Sequence, residues 1–85
     1  MYQVVYRKSA QKAILKLPRD LAQRFQETFL KLAEDPQRQD LDVKKLKGRG
    51  GYRLRIGTWR ALYRVKEDCQ VILVLDIGPR GDIYK

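Results

Sequence analysis

The chain is expected to fold as an α+β unit, a helical hairpin packed on one face of a small, mainly antiparallel four-stranded sheet in the order β-α-α-β-β-β. Three observations predict this. Apolar residues recur twice at helical spacing between residues 9 and 36. They alternate at strand spacing in residues 2–6 and 52–66, and they run almost unbroken through residues 71–77. Eighty-five residues leave no room for a second core, so residues 1–85 are read as one domain.

The first strand is read at residues 2–6, where Tyr2, Val4 and Tyr6 share one side. Ser9 can cap a helix in which Ala10, Ala13, Ile14 and Leu17 form the apolar stripe. Pro18 interrupts it, because proline lacks an amide proton and restricts the residue before it. A second, longer helix carries Leu21, Phe25, Phe29, Leu32 and Ala33 on one face and ends at Asp35-Pro36. Residues 37–50 (QRQDLDVKKLKGRG) are polar and rich in Lys and Gly, and read as a loop that Leu41, Val43 and Leu46 pin to the core.

The stretch YRLRIGTWRALYRVK, residues 52–66, is the most informative. Gly57-Thr58 reads as a two-residue hairpin turn of the Gly-X kind. Folding the chain there sets Ile56 against Trp59, Arg55 against Arg60, Leu54 against Ala61 and Arg53 against Leu62. Opposed residues in an antiparallel pair share a face. One face then holds Tyr52, Leu54, Ile56, Trp59, Ala61 and Tyr63, which are assigned to the core beneath the helices. The other holds Arg53, Arg55, Arg60 and Arg64. The run VILVLDI suits a central strand covered on both faces, and GPRGDIYK is a turn-like tail.

Composition narrows the chemistry. With no histidine and a single cysteine, Cys69, the chain has no histidine-based nucleophilic triad, no internal disulfide and no cysteine-rich metal site. The groups left are Arg, Lys, Tyr and carboxylates, and no metal or cofactor is expected. The formal charge of +9 is uneven, +2 over residues 1–42 and +7 over residues 43–85. With a pI near 10.0, this favours a polyanion as partner, nucleic acid ahead of an acidic protein segment or a membrane surface. No apolar run is long enough to span a bilayer, and MYQVVYRKSA reads as a strand and not as a signal peptide. A cytoplasmic location is expected.

Arg55 directly opposite Arg60 is a local conflict, since like charges across a sheet cost on the order of 0.2–1 kcal/mol. Such conflicts concentrate at functional sites, and a polyanion across this face would relieve the repulsion. The bland alternative is a solvated outer face with the side chains splayed apart. Arginine, unlike lysine, offers two parallel donors to a phosphate. In the tail, Gly78 and Gly81 permit tight backbone that could aim Arg80 back at the sheet, and Tyr84 could stack on a base or simply pack on the protein edge. Asp76 and Asp82 are read as partners of arginines or backbone groups, not as a catalytic pair.

The segments LKGRGGYRLRIGTWRALYRV and ILVLDIGPRGDIYK, taken with the order of elements, resemble the RelE/ParE toxin superfamily of type II toxin–antitoxin systems. That resemblance implies a fold like the small microbial ribonucleases. In the RelE branch it implies ribosome-dependent cleavage of mRNA in the A site, by attack of the substrate 2′-hydroxyl on the adjacent phosphorus without a metal. It implies catalytic roles for Arg53, Arg55, Arg60, Arg80 and Tyr84, with Lys45, Lys47, Arg49 and Arg64 as further RNA contacts. The partners implied are a cognate antitoxin, the ribosome and mRNA, with no membrane and no cofactor. Two positions depart from the family pattern. Both residues of the first strand pair are arginine where better-known members carry a lysine, and Pro79 stands where a histidine or lysine is frequent. Arginine hardly deprotonates, so catalysis is expected to rest on electrostatic stabilisation and positioning and to be slow and strictly ribosome-dependent. The alternatives are a ParE-like inhibitor of DNA gyrase without nuclease activity, and an inactive toxin or plain RNA-binding module. The joint presence of Arg60, Arg80 and Tyr84 favours the nuclease.

Overall fold

Two amphipathic helices and five strands form in the order β1 (Gln3–Tyr6), α1 (Lys8–Lys16), α2 (Arg19–Glu34), β2 (Val43–Lys45), β3 (Tyr52–Ile56), β4 (Trp59–Lys66) and β5 (Val71–Pro79). The computed structural model describes residues 1–48 and 50–79. The strands make one sheet in the order β1-β5-β4-β3-β2. β1 runs parallel to β5, and every other neighbouring pair is antiparallel. The class is the one the sequence predicts, with five strands in place of four.

The added strand, β2, lies within the segment read as a loop. Three residues are too few for alternation to stand out, and two of them are lysines. Lysine on a sheet's outermost strand discourages pairing with other chains, so the composition that suggests a loop also suits an edge. Val43 lies opposite Leu54, Lys44 opposite Arg53 and Lys45 opposite Tyr52. Leu41 and Val43 pack on the core.

The helices part where proline dictates. Leu17, before Pro18, adopts ψ 152, and Pro18 at φ −52 opens α2. Ser9 does not cap α1, because Arg7 holds that position and makes no side-chain cap. Ser9 is the second residue of the helix, and its Oγ donates to the carbonyl of Leu75 at 2.7 Å. That carbonyl is available because β5 bulges. Leu62 faces Asp76 and Tyr63 faces Val74, leaving Leu75 without a partner on β4.

The bulge also explains the unbroken apolar run. Ile72 and Val74 face the helices, the phase resets at Leu75, and Ile77 enters the core in place of Asp76. β5 is central, between β1 and β4. The expected cover on both of its faces is met on one. The helices bury Ile72, Val74 and Ile77, while Val71 and Leu73 on the far side are half-buried among the described residues.

Ala10, Leu17, Phe25, Phe29, Leu32 and Ala33 from the helices meet Leu54, Ala61, Tyr63, Ile72, Val74 and Ile77 from the sheet. An aromatic chain runs through this core. Tyr6 meets Phe29 edge-on at 6.1 Å, Phe29 meets Tyr63 edge-on at 5.5 Å, and Tyr63 stacks on Tyr52 at 5.4 Å. Each such pair adds about 0.5–1.5 kcal/mol beyond its buried area. The helices thus seal one side of the sheet, and among the described residues no helix covers the other. No helix among the described residues is long and apolar enough to cross a membrane.

Candidate nucleic-acid interface

The β3–β4 hairpin sets the site. Gly57 turns at φ 61, while Thr58 has no positive φ; this is the pattern of a Gly-X turn whose first central residue needs left-handed backbone. The register that follows is the expected one. Arg55 opposes Arg60, Ile56 opposes Trp59, Leu54 opposes Ala61 and Arg53 opposes Leu62. Arg53, Arg55, Arg60 and Arg64 therefore share the face away from the helices, with Leu62 between them.

Neighbouring strands extend this face. Lys44 of β2 lies beside Arg53, and Gly78 of β5, which has no side chain, lies beside Arg60. Asp76 lies beside Leu62, and its Oδ1 accepts the Ile77 amide at 2.9 Å, the backbone-capping role expected of it. Arg53, Arg55 and Arg60, with Lys44, Lys45, Lys47 and the half-buried Leu46, line an open groove of about 630 Å³. Arg55 and Arg60 also line a second recess, of about 260 Å³, against the Gly57-Thr58 turn. Six cations converge on the larger groove, and among the described residues none that lines it is acidic.

Among the described residues a counter-charge stands beside the groove. Asp42 accepts from Arg55 Nε at 2.7 Å and, more weakly, from Arg53 Nη2 at 3.4 Å. The Arg53 side chain is 13% exposed and that of Arg55 48%, so Arg53 is held against the protein while Arg55 stands in solvent. The repulsion between Arg55 and Arg60 is thus partly offset from within the chain, not only by an external polyanion.

Of the residues singled out from sequence, Arg53, Arg55, Arg60, Lys45 and Lys47 come together around the groove. Lys45 does so from its edge, since its register opposite Tyr52 belongs to the helix-side face. Arg64 shares the arginine face but lies further along β4, exposed and outside the groove lining. Arg49, Arg80 and Tyr84 lie outside the described residues, as does Asp82. Sequence reasoning missed Lys44 and Asp42. Alternation of Val43 with Lys44 was the available signal for the first, while the second depends on a strand pairing that the sequence does not announce. Among the described residues no three His, Cys, Asp or Glu side chains gather as a metal site would require.

The model of the family described as the ParE toxin of type II toxin–antitoxin system, parDE, matches residues 4–84. The chain belongs to the RelE/ParE family of type II toxins. This RelE/ParE-family chain is 33% identical over 86 residues to the protein named toxin RelE1 of Methanocaldococcus jannaschii, covering 99% of this chain and 96% of that protein. It is 31% identical over 85 residues to toxin RelG of Mycobacterium tuberculosis, covering 99% and 97%. A chain of the archaeal RelE–RelB complex from Pyrococcus horikoshii is 38% identical with a TM-score of 0.80, over 95% of this chain and 97% of that one. Family and fold are those that the two sequence segments suggested.

Proposed function

We propose that this RelE/ParE-family toxin is an endoribonuclease that cuts mRNA in the ribosomal A site, acting in the cytoplasm as a single domain of residues 1–85. The observation that carries the reading is the groove in which Arg53, Arg55 and Arg60 converge with three lysines on the sheet face that the helices leave open. An RNA backbone laid there meets paired guanidinium donors suited to phosphate oxygens.

In the reaction, the substrate 2′-oxygen forms a bond to the adjacent phosphorus and the bond from phosphorus to the 5′-oxygen breaks. The products are a cyclic phosphate and a 5′-hydroxyl. The nucleophile belongs to the substrate, so no cofactor is needed. Arg60, with Arg53, stabilises the charge that grows on the phosphoryl oxygens, a differential interaction of the oxyanion-hole type. Arg80 assists the leaving oxygen and Tyr84 holds the base. Arg55 binds phosphate, and Lys45, Lys47, Arg49 and Arg64 hold the flanking backbone. Arginine at both 53 and 55 supplies no ready base, so rate depends on alignment of the RNA by the ribosome. An antitoxin protein holds the toxin inactive; the similarity to a chain from a RelE–RelB complex supports this partner.

Toeprinting of programmed ribosomes with wild type, Arg60→Ala and Arg80→Ala tests the reading. Wild type is expected to cut within the A-site codon, and each variant to lose about 100-fold or more in rate. Free mRNA is expected to stay intact. Growth arrest that survives both substitutions would point instead to a plain RNA-binding module. The family description as ParE favours one second reading, inhibition of DNA gyrase. It would appear as DNA damage while translation continues.

A further inference from the structure

Asp42 has no part in the reaction just described, yet both its backbone and its side chain are fixed to the arginine strand. It stands immediately before β2, where its carbonyl accepts the Arg55 amide at 3.0 Å. Its carboxylate accepts from Arg55 Nε at 2.7 Å. Arg55 lines both recesses on this face and Asp42 lines neither. The carboxylate therefore stands beside the guanidinium, outside the lining of both recesses.

The choice of nitrogen matters. A guanidinium carries five N–H donors in a fixed fork. A carboxylate on Nε holds the stem side of that fork and leaves the terminal nitrogens for two parallel bonds to a phosphate. It also restrains Arg55 against the repulsion of Arg60, its direct cross-strand neighbour. At the same time one negative charge beside the groove weakens its hold on any polyanion, whether or not that polyanion engages the fork.

We propose that Asp42 is a positioning residue for the groove: it aims Arg55 at a substrate phosphate and, through its charge, lowers general affinity for RNA. The inference rests on the nuclease reading for its catalytic consequence, and it requires binding and cleavage to move in opposite directions. Asp42→Asn keeps the shape and the backbone contact but removes the charge. Binding to a single-stranded oligoribonucleotide with 2′-O-methyl sugars, which lacks the attacking hydroxyl, should tighten about two- to fivefold. Its log–log salt dependence should steepen by about 0.7, the equivalent of one more phosphate contact on a single strand. Cleavage on programmed ribosomes should fall about tenfold, as misplaced catalytic groups do. Asp42→Glu, which restores the carboxylate, should recover part of the cleavage.

A structural defect alone would weaken binding and cleavage together, and a pure charge effect would raise both. Either result overturns the inference while leaving the nuclease reading intact, provided wild type cuts. If wild type does not cut, the nuclease reading falls, and Asp42 is judged by NMR of the Arg55 Nε–H. A slowly exchanging signal in wild type that is lost in Asp42→Asn, together with tighter oligonucleotide binding, supports positioning. A signal unchanged by the substitution overturns it.

Discussion

Arg55 and Arg60 carry like charge across two paired strands, and what stands beside each determines what the pair can do. On the β2 side Arg55 has Asp42 at 2.7 Å; on the β5 side Arg60 has Gly78. The ion pair is exposed, and such pairs contribute about 0–1 kcal/mol, so its value lies in direction more than in stability. Arg55→Lys isolates that contribution. Lysine keeps the charge but presents a single ammonium, with nothing equivalent to Nε for Asp42 to hold while a fork remains for phosphate. Urea midpoints should correspond to a change within about 0.5 kcal/mol, and oligonucleotide affinity should stay within about twofold. Ribosomal cleavage should fall about tenfold. Equal cleavage by the lysine variant would show that charge alone suffices at this position. The opposition of Arg55 and Arg60 was legible in the sequence, because a two-residue turn and a period of two leave one register. Asp42 was not, since it lies 13 positions from Arg55 and reaches it only through a strand that composition disguises.

At the scale of elements, helical and strand periodicity located both helices and four strands, while β2 was hidden by its brevity and its lysines. The bulge of β5 was equally hidden, because a run of apolar residues reads the same with or without a shift of phase. Its consequence is large. Without the reset at Leu75, Asp76 would face the helices and Ile77 the arginine face. A side-chain hydrogen bond between α1 and this strand, Ser9 Oγ to the Leu75 carbonyl at 2.7 Å, sits on the extra residue itself. Ser9→Ala leaves that partly buried carbonyl without its donor, a loss of about 1–2 kcal/mol. The measurement is a urea midpoint at unchanged slope. Oligonucleotide binding should be unaffected, since the bond lies on the helix side of the sheet. The same closeness of elements is seen at Gly51, φ 112, where a Cβ would come within 3.0 Å of the Tyr63 carbonyl. The backbone entering β3 at Gly51 thus lies close against β4.

Across the whole molecule the uneven charge and the two-sided sheet describe one division of labour. The basic half of the sequence builds the exposed face, and the helices of the other half supply the seal behind it. The seal depends on the aromatic chain from Tyr6 through Phe29 and Tyr63 to Tyr52, which links β1, α2, β4 and β3 in turn. Because it crosses every layer, its ionisation acts on the fold as a unit. Burial pushes the Tyr6 phenol up to about 12 from its ordinary 10.0. Burial, with a smaller contribution from Tyr52, raises Tyr63 as well. A folded-state pKa above the unfolded one means stability that is complete below pH 10 and is lost as pH climbs from there through 12, because the unfolded chain releases these protons first. Urea midpoints should therefore hold steady to about pH 10 and then fall together with the appearance of tyrosinate absorbance. Tyr63→Phe keeps the ring contacts with Phe29 and Tyr52 but has no proton to lose, so its decline over the same range should be shallower, with Tyr6 left to supply what remains. An equally steep decline in wild type and variant would mean that the alkaline limit is set outside the aromatic chain.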